Sequence, residues 1–533
     1  MKRTAAILST LPMMFLIAQG CSSSEGTAVD PGNTDDGGNN GNTDDGGGSN
    51  PIPGTDGGKG GSKDGGGGDG GAIVQTTPGT SLVTGKGITL YGVTSDGYVV
   101  YGKDTGKADD AGTPLSSLEV VPVAGGAPTV LAAVLNSTDD FGIAGKTIAY
   151  YQNVDQQGVA AQLSVWTAAN GLKKIASATN VLDGLFDAST DGTHVVFAQN
   201  TDVAKLTSDF VVDTADGVTS TPLVTGFSLK TCSPDAGFRK AIVYATACTG
   251  AATTAAIATL DTGTANAVVT KTAGTAAKPG FASMDTNGTH LLYIKNANTV
   301  GTVATFDGKT PIAHAQNTAF AALNTDGTKL VYRTNLPDGG AGSLESSPAG
   351  ANTPTALIPV GVSTVLGIAD DFSNGVVALK GADKTTNPKL TRYDLNFASL
   401  ATAGAPKVLT PAGLPVGFNT ASSFFFYLQD LPTTGQVPIA TLKAHAAAGG
   451  VDKEIAKLVI EPKTVDGTTK VVFMENLQSD ANMNPYIDLT VGDGAGAGAP
   501  TVVVQGADIG YQLSGTKLIY TNAAKGLYVV SVP

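Results

Sequence analysis

Thr325-Asp326-Gly327-Thr328-Lys329-Leu330-Val331-Tyr332 is a turn signal followed at once by three apolar residues. The Asp-Gly pair supplies the positive φ angle that a tight hairpin needs. Three consecutive apolar residues are too few for a helix so close to a glycine, and they do not alternate as a half-solvated strand would. They predict a strand covered on both faces. Close copies are Ser189-Thr190-Asp191-Gly192-Thr193-His194-Val195-Val196-Phe197 and Asp285-Thr286-Asn287-Gly288-Thr289-His290-Leu291-Leu292-Tyr293. Ser95-Asp96-Gly97 running to Tyr101, Asp466-Gly467 running to Phe473, and Ser514-Gly515 running to Tyr520 complete the clear set.

Looser copies fill the gaps. Gly145 precedes Thr147-Ile148-Ala149-Tyr150, Asp235-Ala236-Gly237 precedes Ile242-Val243-Tyr244, and Asn374-Gly375 precedes Val376-Val377. Ser423-Phe424-Phe425-Phe426-Tyr427 has no turn glycine. From Gly97 to Gly515 is 418 residues, and nine intervals make the period about 46 residues, that of a four-stranded blade. Leu118 to Val123 and Pro128 to Leu131 fill the later strand slots of one period, and small residues such as Ala319 to Leu323 suit an innermost strand. Repeated four-stranded sheets remove open edges by packing around an axis, so the expected fold is an all-β propeller. The spacing admits one ring of about ten blades, two smaller rings, or eight blades with two irregular hairpins.

The Ser233-Pro234-Asp235 and Thr-Asp-Gly-Thr stretches resemble the turn-strand of the TolB-like (WD40-like) propellers. The resemblance covers about residues 80–533 and implies blades rather than an activity. The α/β domain that precedes the propeller in that family has no counterpart here.

Residues 1–20 have the form of an export signal: Lys2 and Arg3, then an apolar stretch from Ala5 to Ala18, too short for a membrane span. Ala18-Gln19-Gly20-Cys21 is similar to a bacterial lipobox, with Ala18 where Leu is usual. An ordinary signal peptide cut after Gly20 fits the same residues. Cysteine parity favours lipid on Cys21, because Cys232 and Cys248 flank one predicted hairpin and are expected to pair as a disulfide. Ser22 after the cysteine implies, by resemblance to bacterial sorting rules, the outer membrane. The only helical signal, Val451 to Leu458, predicts one surface turn or a short strand.

Residues 21–79 are rich in Gly, Asp, Asn and Ser and nearly devoid of large apolar side chains, so they read as a disordered tether. Such a coil spans about 40 Å root-mean-square. The whole chain carries a net charge of −13, and removing the leader takes away Lys2 and Arg3 but no acid, leaving −15. Nine acids against Lys59 and Lys63 put −7 of this on the tether and about −8 on residues 80–533. That balance argues against nucleic acid or anionic lipid as a partner.

The sequence contains no Gly-x-Ser-x-Gly elbow, His-Glu-x-x-His or phosphate-cradling loop. His194 and His290 share a slot that Lys329 and Lys517 occupy in other repeats, which reads as a solvent-facing position rather than a metal pair. The three mature arginines, Arg239, Arg333 and Arg392, form no evident cluster, and Trp166 beside Leu163 and Val165 reads as packing. No catalytic residue, metal or cofactor is assigned. The expected function is a membrane-tethered envelope scaffold that binds a protein, peptide or glycan through loops or the axial funnel. The competing expectation is a propeller hydrolase or lyase with catalytic residues gathered from several blades.

Overall fold

The computed structural model describes residues 79–533 except 110–111, 177, 219, 231–233, 240–241, 250–251, 260–267, 275–289, 296–300, 307–310, 335–339, 388, 436–437, 480–484, 497 and 523–525. It is an all-β propeller, and among the described residues the strands fall into ten consecutive antiparallel groups. Group 6 shows the pattern. Phe320–Leu323 is innermost and pairs with Lys329–Thr334, followed outward by Gly342–Pro348 and Thr355–Val362. Groups 7, 8 and 9 form one ten-stranded sheet, because two strands serve twice. Lys407–Phe418 is the outer strand of group 7 and continues as the inner strand of group 8; Lys453–Thr464 does the same between groups 8 and 9. Group 5 has three described strands, Leu291–Lys295, Gly301–Phe306 and Pro311–Thr318.

The unalternating apolar run is explained by what each face meets. Leu330, Val331 and Tyr332 have no exposed surface. Leu330 and Tyr332 join Leu292 and Val303 of group 5, whereas Val331 joins Ile368 and Val377 of group 7. Each side chain so buried contributes about 1.5–3 kcal/mol. Val99, Val100 and Tyr101 repeat the arrangement in group 1 (Ile88–Val93, Tyr98–Ala108, Leu118–Pro122, Thr129–Ala132).

The chain closes on itself. Thr80–Thr84 is the outer strand of the last group, beside Gly526–Ser531, with Lys517–Asn522 and Tyr511–Ser514 further in. Thr80 faces Val529 and Thr84 faces Gly526. Thr80 therefore lies at the end of the sheet that carries the Asp-Gly turns. Thr84 lies at the opposite end, where second and third strands are joined and where one group passes to the next.

Three expectations are corrected. Gly237 is not in a turn: it lies within the innermost strand Asp235–Arg239, opposite Tyr244. Gly375 likewise belongs to the strand Asn374–Ala378, and the left-handed turn position of group 7 is held by Phe372 at φ 55°. Phe372 adopts this costly conformation because its ring is buried in the core shared with group 6. Val451 to Leu458 is neither a surface turn nor a short strand; most of it enters the twelve-residue strand Lys453–Thr464, held by Ile455, Val459 and Ile460 in the core. In group 8, without glycine, Ser422 holds the left-handed position at φ 55°.

Candidate functional site

The turn residues are single structural parts, one set per group. Gly97, Gly192, Gly327, Gly467 and Gly515 have φ values of 85°, 75°, 70°, 69° and 54°. Thr94 Oγ1 donates to Asp96 at 2.6 Å, and Ser189 Oγ to Asp191 at 2.6 Å. Asp326 Oδ1 accepts from the Thr328 backbone at 3.1 Å and hydroxyl at 2.5 Å, and Thr193 binds Asp191 in the same way. Thr328 thereby holds the Asp326 carboxyl below its usual range. Asp466 accepts from Thr420 Oγ1 of the preceding group at 3.4 Å. These bonds account for Asp-Gly-Thr as a turn device.

Asn287, Gly288, Cys21 and Cys232 lie outside the described residues, and of Cys248 only the backbone is described, opposite Thr253. The expected disulfide is therefore outside them too.

The histidine slot is not simply solvent-facing. Lys329 Nζ reaches into group 7 and donates to Leu400 O at 2.6 Å, and His194 is half-buried beside Thr193 Oγ1 at 2.8 Å. His314 is buried, with Nε2 at 2.7 Å from Thr305 Oγ1; among the described residues its Nδ1 has no hydrogen-bond partner. Leu163, Val165 and Trp166 are all buried.

Two polar clusters escaped sequence inspection. On the turn face of group 8, His445 Nδ1 donates to Asp452 Oδ1 at 2.6 Å, and the Tyr427 hydroxyl donates to Asp452 Oδ2. Lys407 Nζ lies 3.8 Å from the same carboxylate, and the Phe397 ring packs edge-on against His445 with centroids 4.6 Å apart. Burial, then the hydrogen bond to Asp452 and its charge, push the Tyr427 phenol up. A carboxylate that orients an imidazole is half of a general-base device. Among the described residues no serine, threonine or cysteine completes it by bonding to His445. The partners stand seven and twenty-five residues apart, so no compact motif marks them.

The second cluster is on the opposite, loop-bearing face, where group 2 meets group 3 (Phe186–Ala188, His194–Asp202, Thr207–Thr214 and Ser220–Ser228). Asp140 opens the innermost strand of group 2, Asp140–Ala144, directly opposite Tyr151 in the neighbouring strand Thr147–Val154. Asp183 lies on the connection to group 3, pinned by its N–H to Gly158 O at 2.8 Å, and its carboxyl is within electrostatic reach of that of Asp140. Burial and then the charge of Asp140 push the Asp183 carboxyl up to about 6, against a lowering bond from the Gly184 backbone. Asp139, next in sequence, is occupied with the Tyr150 hydroxyl at 2.9 Å and the Asn153 N–H at 3.1 Å.

On the same face two long loops are clasped. Arg392, buried at the end of the group 7 loop, donates to Pro432 O at 2.5 Å and Leu431 O at 3.3 Å. Buried Asn387 donates to Pro432 O and Gly435 O at 3.2 and 2.9 Å. Carbonyls of the group 8 loop are thus capped by side chains of group 7, which removes freedom from both loops before any partner arrives.

No protein-family model matches the chain, and no curated protein matches it. Among solved structures it is similar to a eukaryotic initiation factor, with 12% identity over 87% of this chain and 92% of that one, at a TM-score of 0.42. The β-propeller domain of the Trilobed protease from Pyrococcus furiosus matches at 13% identity over 61% and 98%, with a TM-score of 0.29. Oligopeptidase B from Leishmania major matches at 11% identity and a TM-score of 0.37; this chain covers 54% of its length and 78% of itself is matched. The propeller fold of the present chain rests on its own sheet order.

Proposed function

We propose that this chain is a lipid-anchored propeller scaffold of the cell envelope, a single closed ring of ten blades. Its loop-bearing face would bind a protein, peptide or glycan partner. The observation that carries the proposal is the route of the first strand. Thr80–Thr84 enters the last group from the Asp-Gly-turn face, so an anchor at Cys21 attaches to that face and leaves the opposite loops outermost. Those loops include the clasped pair of groups 7 and 8, a prepaid surface of the kind that favours binding. Shared cores run between successive groups from 5 through 10 and on from 1 to 4, with group 10 packed on both group 9 and group 1, and they support one ring.

Two measurements test this. Cys21→Ser should move the full chain from the membrane to the soluble fraction, and equal membrane recovery removes the anchor. Envelope proteins or glycans captured by the full chain should be lost with the loop variant Lys380→Glu/Lys389→Glu and kept by the turn-face variant Lys517→Glu. The opposite pattern refutes the choice of face.

A further inference from the structure

Resting on the reading of the loop face as the binding face, we propose that the group 7 loop, residues 379–392, docks an acidic peptide segment of a partner protein. The group 8 loop, residues 430–439, is its support. The first loop carries Lys380, Lys384, Lys389 and Arg392 against Asp383 alone, a net +3, and the second adds only Asp430. Residues 80–533 as a whole carry about −8, so the sign of the charge is reversed here. All three lysines are exposed. Lys380 and Lys389 form no ion pair among the described residues. Asp383 accepts the hydroxyls of Thr385 and Thr386 at 2.7 and 2.8 Å, so its carboxylate serves to fold the loop.

Arg392 supplies an independent sign of a ligand. It is 4% exposed and forms no ion pair among the described residues. Its Nη2 donates to the carbonyls of Leu431 and Pro432, and its Nη1 has no hydrogen-bond partner. Carbonyl dipoles do not cancel a full charge, and a buried cation without an anion is costly. Its field is weakly screened at that depth and adds to that of the exposed lysines. An anionic segment docked over the loop balances part of this charge. The platform is ordered in advance. Asp383 and Arg392 exchange backbone hydrogen bonds at 2.8 and 2.9 Å, closing residues 383–392 into a hairpin. The Leu379 and Lys380 N–H groups donate to the Asp394 carboxylate at 3.1 and 3.0 Å.

What surrounds the charge selects a peptide. Nucleic acid and anionic membranes engage a broad positive surface, whereas here one positive loop stands on an acidic propeller. Sugars are gripped on aromatic faces, and residues 379–392 and 430–439 contain no Phe, Tyr or Trp. Ile439, 36% exposed, adds apolar contact for a peptide side chain.

The test uses the full chain and three fluorescein-labelled probes read by anisotropy: a peptide of alternating Glu and Ser, the same peptide with Gln for Glu, and a uronic acid oligosaccharide of equal charge. The Glu peptide should bind saturably, about tenfold or more tighter than the Gln peptide, and should weaken as salt screens exposed charges. Lys380→Glu/Lys389→Glu should weaken it about tenfold or more. Lys380→Arg/Lys389→Arg should keep it, and Lys517→Glu on the turn face should leave it unchanged. Asp430→Asn, at a φ of 58° that asparagine also adopts, should tighten it about twofold. Equal binding of the Glu and Gln peptides, or Glu-peptide binding indifferent to Lys380→Glu/Lys389→Glu, overturns the proposal. Tighter binding of the uronic acid probe, lost in the same variant, overturns it in favour of a glycan. Capture of envelope partners separates this from the loop-face reading: capture lost in the double variant, with the Glu peptide unbound by wild type, keeps the face and removes the acidic peptide.

Discussion

Replacing Ser422 by glycine should stabilise the protein, although glycine usually weakens a fold. Ser422 stands at φ 55°, where Gly97, Gly192, Gly327 and Gly467 stand in other groups. An L-residue there costs about 1–2 kcal/mol. Its side chain is 5% exposed, and among the described residues its hydroxyl finds no hydrogen-bond partner, a further cost of about 1–3 kcal/mol. Against these stands the extra backbone freedom of glycine in the unfolded chain, about 0.5–1 kcal/mol. The N–H of residue 422, which donates to Asn419 O at 2.7 Å, survives the change. The net gain is about 2 kcal/mol. For a 150–250-residue domain that would raise the thermal midpoint by about 4–8 °C; in a chain of this length the expected rise is about half. Because a repeat array feels such changes locally, amides of Phe424–Gln429 should exchange more slowly than those of distant groups. Ser422→Ala separates the two terms: it removes the hydroxyl but keeps the strained Cβ, so it should recover only part of the gain. If Ser422→Gly is no more stable than Ser422→Ala, the backbone argument fails; if it is less stable than wild type, both arguments fail.

Two other outcomes follow from the same kinds of observation. Leu458 is 70% exposed at φ 56°, within a register shift of the outer strand, where other outer strands place Gly226, Gly361, Gly506 and Asn317. Leu458→Gly should therefore gain about 0.5–1 kcal/mol, read as a higher urea midpoint, since little packing is lost. Burial, then the charge of His290, lower His314 to about 4, below the usual unfolded value of about 6.5. The unfolded chain therefore takes up this proton first, and the contribution of His314 is complete above pH about 6.5 and lost as pH falls toward 4. The stability advantage of wild type over His314→Phe should shrink between pH 7 and pH 5, and a constant difference would show that His314 does not titrate this way.

What could be seen in the sequence was what local chemistry decides. Asp326, Gly327 and Thr328 form a turn from their own side chain, backbone freedom and hydroxyl, so three letters suffice. The run Leu330 to Tyr332 announces a strand covered on both sides, and the structure covers it with groups 5 and 7. Where tertiary packing overrules local preference, the letters mislead. Phe372 holds a glycine's conformation because its ring has a core to enter. The charged stretch at Lys453 extends rather than coils because Ile455 and Val459 are claimed by the group 8 core and Glu454 sits opposite Lys443.

The polar clusters were illegible for a different reason. Asp140 and Asp183 are brought together by strand register and by the passage from one group to the next, and sequence spacing encodes neither. Repetition hides such pairs further, because acids recur at every turn with a sufficient structural role. The informative acid is the one that departs from the pattern: Asp326 and Asp191 have hydroxyl and N–H donors beside them, whereas Asp183 has the Gly184 backbone and the charge of another carboxyl. In a repeat protein, then, function is sought where the repeat's own hydrogen-bond scheme is left incomplete. By that criterion the loop face between groups 2 and 3 is set apart, and it is also the face opposite the end at which Thr80 enters the last group.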